Sequence, residues 1–239
     1  MKADGSTHVI ARARGFIRRR GVRNAASLVV RKGAARVLHD EDHVWYAVAP
    51  GDERPRRELP EGYAFRRGDE SCIGLLLGLD SISSYTARRR LAGGADLWLV
   101  IGPAGDAAFA CWTFHDCTPV FAAKGGALKL AEGVSCLENS VTSPEHRGRG
   151  IAPAAWTLVA DELARRGVEQ LITTIDAENV ASRKAIVKAG FRPFAVVHDE
   201  RRFGRRRVRV WHDGSAAGEA LVERLPAERA AGAAPIEMV

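Results

Sequence analysis

The stretch Arg147-Gly148-Arg149-Gly150-Ile151-Ala152 decides the fold of this chain, because it joins a predicted strand to a predicted helix. The strand, residues 135–142, ends at the turn signal Ser143-Pro144. The helix is amphipathic, with apolar residues at helical spacing from Ile151 to Leu163. A strand, a glycine-containing turn and a helix together gather unpaired backbone N–H groups at the positive end of a helix dipole. Such a corner binds phosphate.

Three kinds of phosphate-binding motif compete for this turn. A P-loop ends in Gly-Lys-Ser/Thr, which is absent here. A dinucleotide-binding fingerprint needs a third glycine at the position where this chain has Pro153. The third motif, Arg147-x-x-Gly150-x-Ala152, resembles motif A of the GCN5-related N-acetyltransferases (the GNAT family), whose pattern is Gln/Arg-x-x-Gly-x-Gly/Ala.

A second block strengthens this resemblance. Asn179-x-x-Ser182, followed by Lys188-x-Gly190-Phe191, is similar to motif B of the same family and lies at the usual distance from motif A. The same residues would also suit an ordinary capped helix, with Asn179 as the N-cap and Gly190 in a Schellman end. Two motifs in register favour the family over a chance match.

The resemblance implies an α+β fold of the GNAT type. We expect a central, mostly antiparallel twisted sheet with helices on both faces, and a cofactor in a splay between the fourth and fifth strands of the domain. The chain would divide into a basic extension at 1–55, an acyltransferase domain at 56–212, and an Ala/Gly/Glu-rich tail at 213–239 that we expect to be disordered. Periodicity predicts strands at 97–101, 107–114 and 171–175 and a helix from Tyr85 to Leu91.

Composition and charge exclude several other classes. The 239 residues are 46% hydrophobic and 27% charged, which is ordinary for a globular protein. The longest apolar run, Ile73 to Leu79, is too short to span a bilayer, and the N-terminus lacks a secretory signal. The four cysteines have no metal-binding spacing, so we expect reduced thiols, no metal and a cytoplasmic location.

The net charge of +7 raises the question of a polyanionic partner. Arginines cluster at 12–23 and 201–209, and Val9 to Arg20 predicts a short basic helix. Aromatic residues are not interleaved with these clusters and no nucleic-acid motif is present. We therefore expect no specific nucleic-acid partner, and only weak contact of the N-terminal arginine cluster with anionic surfaces.

The resemblance also implies acetyl-CoA as the acyl donor and assigns residues to it. The pyrophosphate would lie on the start of the predicted helix, and the pantetheine arm would lie along the preceding strand and beside motif B. The implied cofactor-binding residues are Val141, Thr142, Arg147, Gly148, Arg149, Gly150, Ile151, Ala152, Pro153, Asn179 and Ser182. Pro153 has no N–H and would line the site without donating.

Acyl transfer to an amine needs a proton acceptor and a donor for the leaving thiolate. Strand alternation places Glu138 on one face with Ser140 and Thr142, and Glu138 is the candidate base, although it would equally suit an exposed strand. His115 and Asp116 are a weaker alternative. Many family members have a tyrosine seven residues after the motif B asparagine, where this chain has Ile186, so Ser182, water or no group takes that role.

The resemblance thus implies an acetyl-CoA-dependent N-acetyltransferase, which we expect to act on a small amine or an amino sugar. Two alternatives stay open within the same fold: an acyltransferase that uses a longer acyl donor, and a non-catalytic module that binds coenzyme A. A basic protein associated with nucleic acid is supported by the net charge alone.

Overall fold

The computed structural model describes residues 38–79, 83–120, 122–203, 205–230 and 234. The predicted basic helix from Val9 to Arg20 and the arginine cluster at 12–23 lie outside the described residues. The chain divides into two compact units, one of Asp42–His198 with Val208–Val239 and the other of Met1–Glu41 with Asp199–Arg207. In the second unit, Arg206 pairs with Asp199 at 2.5 Å and Arg202 pairs with Glu200 at 2.5 Å.

The described residues form eleven strands and five α-helices. The strands are β1 (Leu38–Val48), β2 (Ala64–Gly68), β3 (Asp96–Ile101), β4 (Ala107–Phe114), β5 (Cys117–Pro119), β6 (Ala127–Lys129), β7 (Val134–Thr142), β8 (Gln170–Asp176), β9 (Arg192–Arg202), β10 (Arg205–His212) and β11 (Glu228–Arg229). The helices are α1 (Ile73–Leu76), α2 (Ser84–Ala92), α3 (Ile151–Arg165), α4 (Val180–Lys188) and α5 (Ala216–Arg224).

Nine of these strands form one sheet, in the order β11-β10-β9-β1-β8-β7-β4-β3-β2, and β5 and β6 form a separate hairpin. Neighbouring strands from β2 to β4, and β4 with β7, are antiparallel. The pair β7 and β8 is parallel, because helix α3 carries the chain back to the starting edge between them. The expected mostly antiparallel sheet is confirmed.

Helices cover both faces of this sheet, as the alternation along β4 shows. Phe109 of β4 packs in a core with Trp156 and Leu163 of α3. Ala110 and Trp112, whose side chains point to the opposite face of β4, pack with α1 and α2. Each strand residue therefore contributes to one of two layers, and the mixed α+β class is confirmed.

Two segments extend the sheet beyond the expected domain limits of 56 and 212. Strand β1, in the segment assigned to an N-terminal extension, pairs with β8 from His43↔Asp176 to Val48↔Leu171. Helix α5 and strand β11 form where a disordered tail was expected, and this expectation is wrong for residues 216–229. The physical reason is burial, since Leu221 and Leu225 are about 4 to 5% exposed and pack with Phe194 and Val210.

Local sequence signals account for the helix ends near the site. Asp69 accepts from Ser71 N–H ahead of α1, and Ser83 accepts from Thr86 N–H at the start of α2. At the end of α4, Phe191 N–H donates to Ile186 O and Gly190 N–H donates to Val187 O, which is a Schellman motif. Among the described residues, no helix is long and apolar enough to cross a lipid bilayer.

Candidate acyl-donor site at the splay of the sheet

The sheet opens between β7 and β8. The two strands pair in parallel from Val134↔Gln170 to Leu137↔Thr173, where Thr173 Oγ1 donates to Leu137 O at 2.7 Å. Beyond that pair β7 continues to Thr142 and β8 to Asp176 without further pairing between them. The sheet therefore has an interior edge whose backbone groups are free to accept an extended ligand.

A β-bulge lies where the strands separate. Asn139 and Ser140 together oppose the single residue Cys111, because Ala110 pairs with Val141 while Trp112 pairs with Glu138. Asn139 adopts φ +54°, a left-handed conformation that asparagine tolerates. The indole Nε1 of Trp156 on α3 donates to Ser140 Oγ at 2.9 Å and holds the bulge against the helix.

The bulge reverses the alternation of side chains along β7. Glu138 faces the layer of α1 and α2 with its partner Trp112, and after the bulge Val141 packs in that same layer. Ser140 faces α3 instead. The prediction that Glu138, Ser140 and Thr142 share one face is therefore wrong, because the extra residue shifts the period of two by one.

The pairing with β4 determines which N–H groups face the opening. Ser143 N–H donates to Ala108 O at 2.9 Å, so the N–H of Val141, two residues earlier, also points toward β4. The N–H of Thr142 points the other way, into the opening. Of these two predicted cofactor-binding residues, Thr142 directs its N–H into the opening and Val141 does not.

The turn before α3 presents a row of unpaired amides. Gly148 and Gly150 both have φ +76°, and a Cβ at either position would meet nothing within 4 Å. Glycine is thus required by backbone conformation, and the space above the turn is open. Within the described residues, no backbone carbonyl accepts from the N–H groups of residues 148–152. The N-cap residue, Gly150, provides no side-chain hydrogen bond to these groups. This cradle fits a phosphate.

The cradle and the opening line one groove of about 760 Å³. The predicted cofactor-binding residues that line it are Val141, Thr142, Arg147, Gly148, Gly150, Ile151, Ala152, Pro153, Asn179 and Ser182. Arg149 is the exception and is not among the lining residues. Arg147 lines the groove, and its Nε also donates to Thr142 O at 3.3 Å.

A basic rim of this groove was not found from the sequence. Arg57, from the segment between β1 and β2, and Lys184 and Lys188 of α4 all line the groove. Arg57 Nε donates to Lys188 O at 3.3 Å, which draws the segment onto the end of α4. The segment reads as a polar linker, so its sequence carries no signal for this placement.

Helix α4 brings motif B to the groove. Asn179 is the N-cap and its Oδ1 accepts from Ser182 N–H at 3.1 Å, so its carbonyl oxygen is already used locally. Ile186, at the position of the family tyrosine, is 0% exposed and belongs to the core under α3. No hydroxyl is available at position 186.

A smaller cavity of about 160 Å³ lies inside the opening itself. It shares Ser140, Trp156, Asn179 and Ser182 with the groove and adds residues from β8. One of these, Thr174, has a buried Oγ1 without a hydrogen-bond partner in the described residues. Sequence reasoning missed Thr174, since a threonine in a strand is ordinary and only the splay exposes its hydroxyl to a cavity.

Glu138 lies on the other side of the sheet from the helix α3 layer, beside the bulge. Burial raises the pKa of its carboxyl to about 7, against the lowering effects of a hydrogen bond from Cys136 Sγ and of the charge of Arg90. It lines neither the groove nor the smaller cavity. Its chemistry suits a base near neutral pH, and it borders Asn139, which lines the smaller cavity.

The alternative base candidates lie elsewhere. His115 bonds Asp96 Oδ2 through Nε2 at 2.9 Å and Ser135 Oγ through Nδ1 at 2.8 Å, so both ring nitrogens are used. Neither His115 nor Asp116 lines the groove or the smaller cavity. The structure thus gives His115 a part in the Asp96 network.

A hydrogen-bonded series flanks the phosphate cradle. Tyr63 OH bonds His146 Nδ1 at 2.8 Å, and His146 Nε2 bonds Asp106 Oδ2 at 2.8 Å. With Glu145 these groups bring three potential metal-ligand atoms within 4.8 Å of one another. Since His146 lines the groove, the series holds one wall of it in place.

Comparison with known proteins agrees with this geometry. Residues 82–191 match the model of the Acetyltransferase (GNAT) family. A GCN5-related N-acetyltransferase from Sphaerobacter thermophilus has a similar structure, with a TM-score of 0.50 and 16% identity over 76% of this chain and 58% of that chain. A GNAT-family protein from Novosphingobium aromaticivorans gives a TM-score of 0.50 and 19% identity over 69% of this chain and 65% of that chain. A search of curated proteins finds no match.

These findings define a class. The structural similarities, at under a fifth identity, show the fold, and this chain spans less than two thirds of the length of either structure. The family match covers both motifs and most of the splay. Residues 82–191 are therefore similar to the acetyltransferase domain of the GNAT family, in agreement with the resemblance of the two motifs.

Proposed function

We propose that this chain transfers an acetyl group from acetyl-CoA to the amine of a small molecule, with amino sugars among the candidate acceptors. The observation that carries the proposal is the coincidence of two features at one place. The unpaired amides of residues 148–152 open onto the same groove as the free edge of β7.

The groove has the features that a coenzyme A ester requires. The amides of Gly148, Gly150 and Ile151 face a diphosphate, and the helix dipole of α3 adds to the attraction. Arg57, Lys184 and Lys188 supply positive charge along the rim for a further phosphate. The free edge of β7 accepts the amide groups of the pantetheine arm as an added strand.

The thioester supplies a carbonyl carbon that an amine attacks directly. The Thr142 N–H, pointing into the opening, donates to the carbonyl oxygen as it gains negative charge, an effect commonly worth about 3 kcal/mol. This donor is fixed before the reaction by the pairing of β7 with β4. No reorganisation of the backbone is then needed.

Glu138 takes the proton that the attacking amine loses, directly or through one water. With its pKa raised to about 7, the carboxyl is ionised in an appreciable fraction of molecules at neutral pH and still basic enough to accept a proton. Its place beside the bulge brings it near the opening from the face opposite α3.

The leaving thiolate takes a proton from a hydroxyl of the smaller cavity or from water. Thr174, with an unpaired Oγ1, and Ser182 are the two candidates. A thiol with an ordinary pKa of about 8.5 is a tolerable leaving group, so the absence of a tyrosine at Ile186 slows this step without preventing it.

The size of the smaller cavity supports a short acyl group. A volume of about 160 Å³ suits an acetyl group and leaves little room for a long chain. All four cysteines are free thiols, which supports a reducing compartment, and we propose the cytoplasm. The position of Ile186 favours a second candidate function, a module that binds coenzyme A without catalysis.

Gly150→Glu tests the site. The carboxylate would enter the cradle and repel the diphosphate, and we expect binding of coenzyme A to be lost in calorimetry. Gly167→Glu is the matched control, because Gly167 has φ +78° at the other end of α3 and a Cβ there also meets nothing within 4 Å. Both variants carry the same left-handed strain, of about 1 to 2 kcal/mol.

Equal affinity in Gly150→Glu and wild type would remove this turn from the site. Release of free thiol from acetyl-CoA in the presence of a panel of amines distinguishes the two functions. Amine-dependent release establishes the transferase. Tight binding without release with any amine would favour the non-catalytic module.

A further inference from the structure

One cation of helix α2 reaches the sheet beside Glu138. The guanidinium of Arg90 lies over the rings of Trp112 and Phe114, at 5.3 and 5.4 Å from their centroids. Trp112 is the cross-strand partner of Glu138, so the guanidinium and the carboxylate lie on the same face of the sheet. Arg90 Nη2 donates to Asn139 Oδ1, in the bulge, at 3.2 Å.

The other terminal nitrogen of Arg90 has no partner in the part of the chain that the structure describes. Nη1 is buried and makes no hydrogen bond among the described residues. Glu138 attracts the guanidinium electrostatically, yet the two groups form no ion pair within 4.0 Å in that part of the chain. A buried, unpaired donor costs about 1 to 3 kcal/mol, and arginine does not relieve the cost by losing its proton.

The neighbouring arginine of the same helix shows that this placement is specific. Arg89 is exposed, and its guanidinium lies 6.0 Å from the ring of Tyr85, which is itself 70% exposed. Arg88 pairs with Glu70 at the surface. Of the three consecutive arginines, only Arg90 is directed at the bulge and lies over two aromatic rings.

The two aromatic rings and the hydrogen bond to Asn139 fix the position of this guanidinium, whose N–H groups all lie in one plane. That arrangement matches a carboxylate, which accepts hydrogen bonds from arginine in one plane. A carboxylate bound there would satisfy Nη1 and would lie next to the candidate base.

We propose that Arg90 binds an anionic group of the acceptor, so that the substrate is a small amine that also carries a carboxylate. The inference rests on the proposed acetyl transfer and specifies its acceptor. Arg90 holds the carboxylate and Glu138 faces the amine of the same molecule. The two side chains therefore recognise the two ends of the acceptor.

The experiment compares amino acids with their primary amides, and with diamines of the same length, as acceptors. Thiol release from acetyl-CoA is measured for wild type, Arg90→Lys, Arg90→Met and Arg89→Met, with the melting temperature of each. We expect the best amino acid to exceed its amide in kcat/KM by about 10- to 100-fold, the range for a hydrogen bond to a charged group.

Arg90→Met should remove that preference by lowering kcat/KM for the amino acid more than for the amide, whose kcat/KM changes only through the effect of the Arg90 charge on Glu138. Arg90→Lys should retain part of it, and Arg89→Met should match wild type. Amides or diamines that equal or exceed the amino acids in wild type would overturn the inference and leave acetyl transfer intact. An equal loss for acid and amide in Arg90→Met would overturn it too.

A failure of the proposed function gives a different result. If no amine releases thiol, the same amino acids are titrated by calorimetry into wild type and Arg90→Met with acetyl-CoA present. Binding that only wild type shows would support an anion site at Arg90. Absence of binding to both would overturn the site as well.

Discussion

Asp96 and Glu138 are two carboxylates of the same domain, the first buried and the second half-buried, and they differ in their partners. Asp96 is 2% exposed and accepts from His115, Arg166 and Arg67. Burial alone would raise its pKa, but these three partners outweigh burial and lower it to about 2. Among the described residues, Glu138 accepts one hydrogen bond, from Cys136 Sγ at 3.6 Å, and burial raises its pKa to about 7.

The difference separates a structural carboxylate from one that is available for proton transfer. Asp96, at the start of β3, holds together the end of β2 and the end of α3, and its charge is permanent above acidic pH. Glu138 has burial without enough partners, which is the condition that brings a carboxyl into the neutral range. Substitution of Glu138 should therefore lower the rate of acetyl transfer, whereas substitution of Asp96 should lower the stability of the fold.

The largest effect should follow Glu138→Gln. We expect kcat for acetyl transfer to fall by about 10²- to 10³-fold, because the variant lacks the proton acceptor while its shape is kept. Affinity for coenzyme A should be unchanged, since Glu138 does not line the groove. Steady-state kinetics with calorimetry measures both.

The pH profile provides the control for that variant. In wild type kcat/KM should rise with pH through an inflection near 7, where the Glu138 carboxyl ionises. The inflection should vanish in Glu138→Gln. A wild-type rate in the variant would place the base elsewhere.

Asp96→Asn should give the second largest effect, which is a loss of stability of the folded protein. Removing the buried charge leaves Arg67 and Arg166 without their shared partner, and we expect a loss of about 3 kcal/mol. The melting temperature would fall by roughly 6 to 12 °C for a chain of this size. Below that temperature turnover should be preserved.

Glu70→Gln is the comparison for Asp96→Asn. Glu70 also pairs with an arginine, Arg88, but the two side chains are 72% and 61% exposed. An exposed pair contributes at most about 1 kcal/mol. Equal melting temperatures for the two variants would show that the Asp96 network does not stabilise the fold.

The smallest effect should be the dependence of stability on pH. Because the folded-state pKa of Glu138 is raised, its contribution to stability is fully present below 4.5, the unfolded value, and is lost as pH rises through about 7. Glu138→Gln does not titrate. Between these pH values the melting temperature of Glu138→Gln should rise by a few degrees relative to that of wild type. A difference in melting temperature that does not change with pH would contradict the raised pKa of Glu138.

Much of the fold follows from local signals in the sequence. Strand β4 and helix α3 match their predicted ranges within a residue or two, because a short apolar strand after Gly105-Asp106 and an amphipathic helix after Gly150 are strongly marked. The cradle follows from the same local pattern. Motif B also lies where its caps predict.

The remainder depends on contacts that local patterns do not encode. One extra residue at Asn139 reverses the faces of β7, and strict alternation therefore misassigns Ser140 and Val141. Strand β1 pairs with β8 at a distance of more than a hundred residues along the chain. Arg90 is one of three adjacent arginines, and only tertiary packing distinguishes it from Arg88 and Arg89.

The position of Trp156 gives the domain a built-in optical reporter. Its indole lines both the groove and the smaller cavity while its Nε1 donates to Ser140. Any molecule that enters either space changes the polarity around this ring. Emission of the unlabelled protein can therefore follow occupancy in real time, with Trp156→Phe identifying the signal among the five tryptophans.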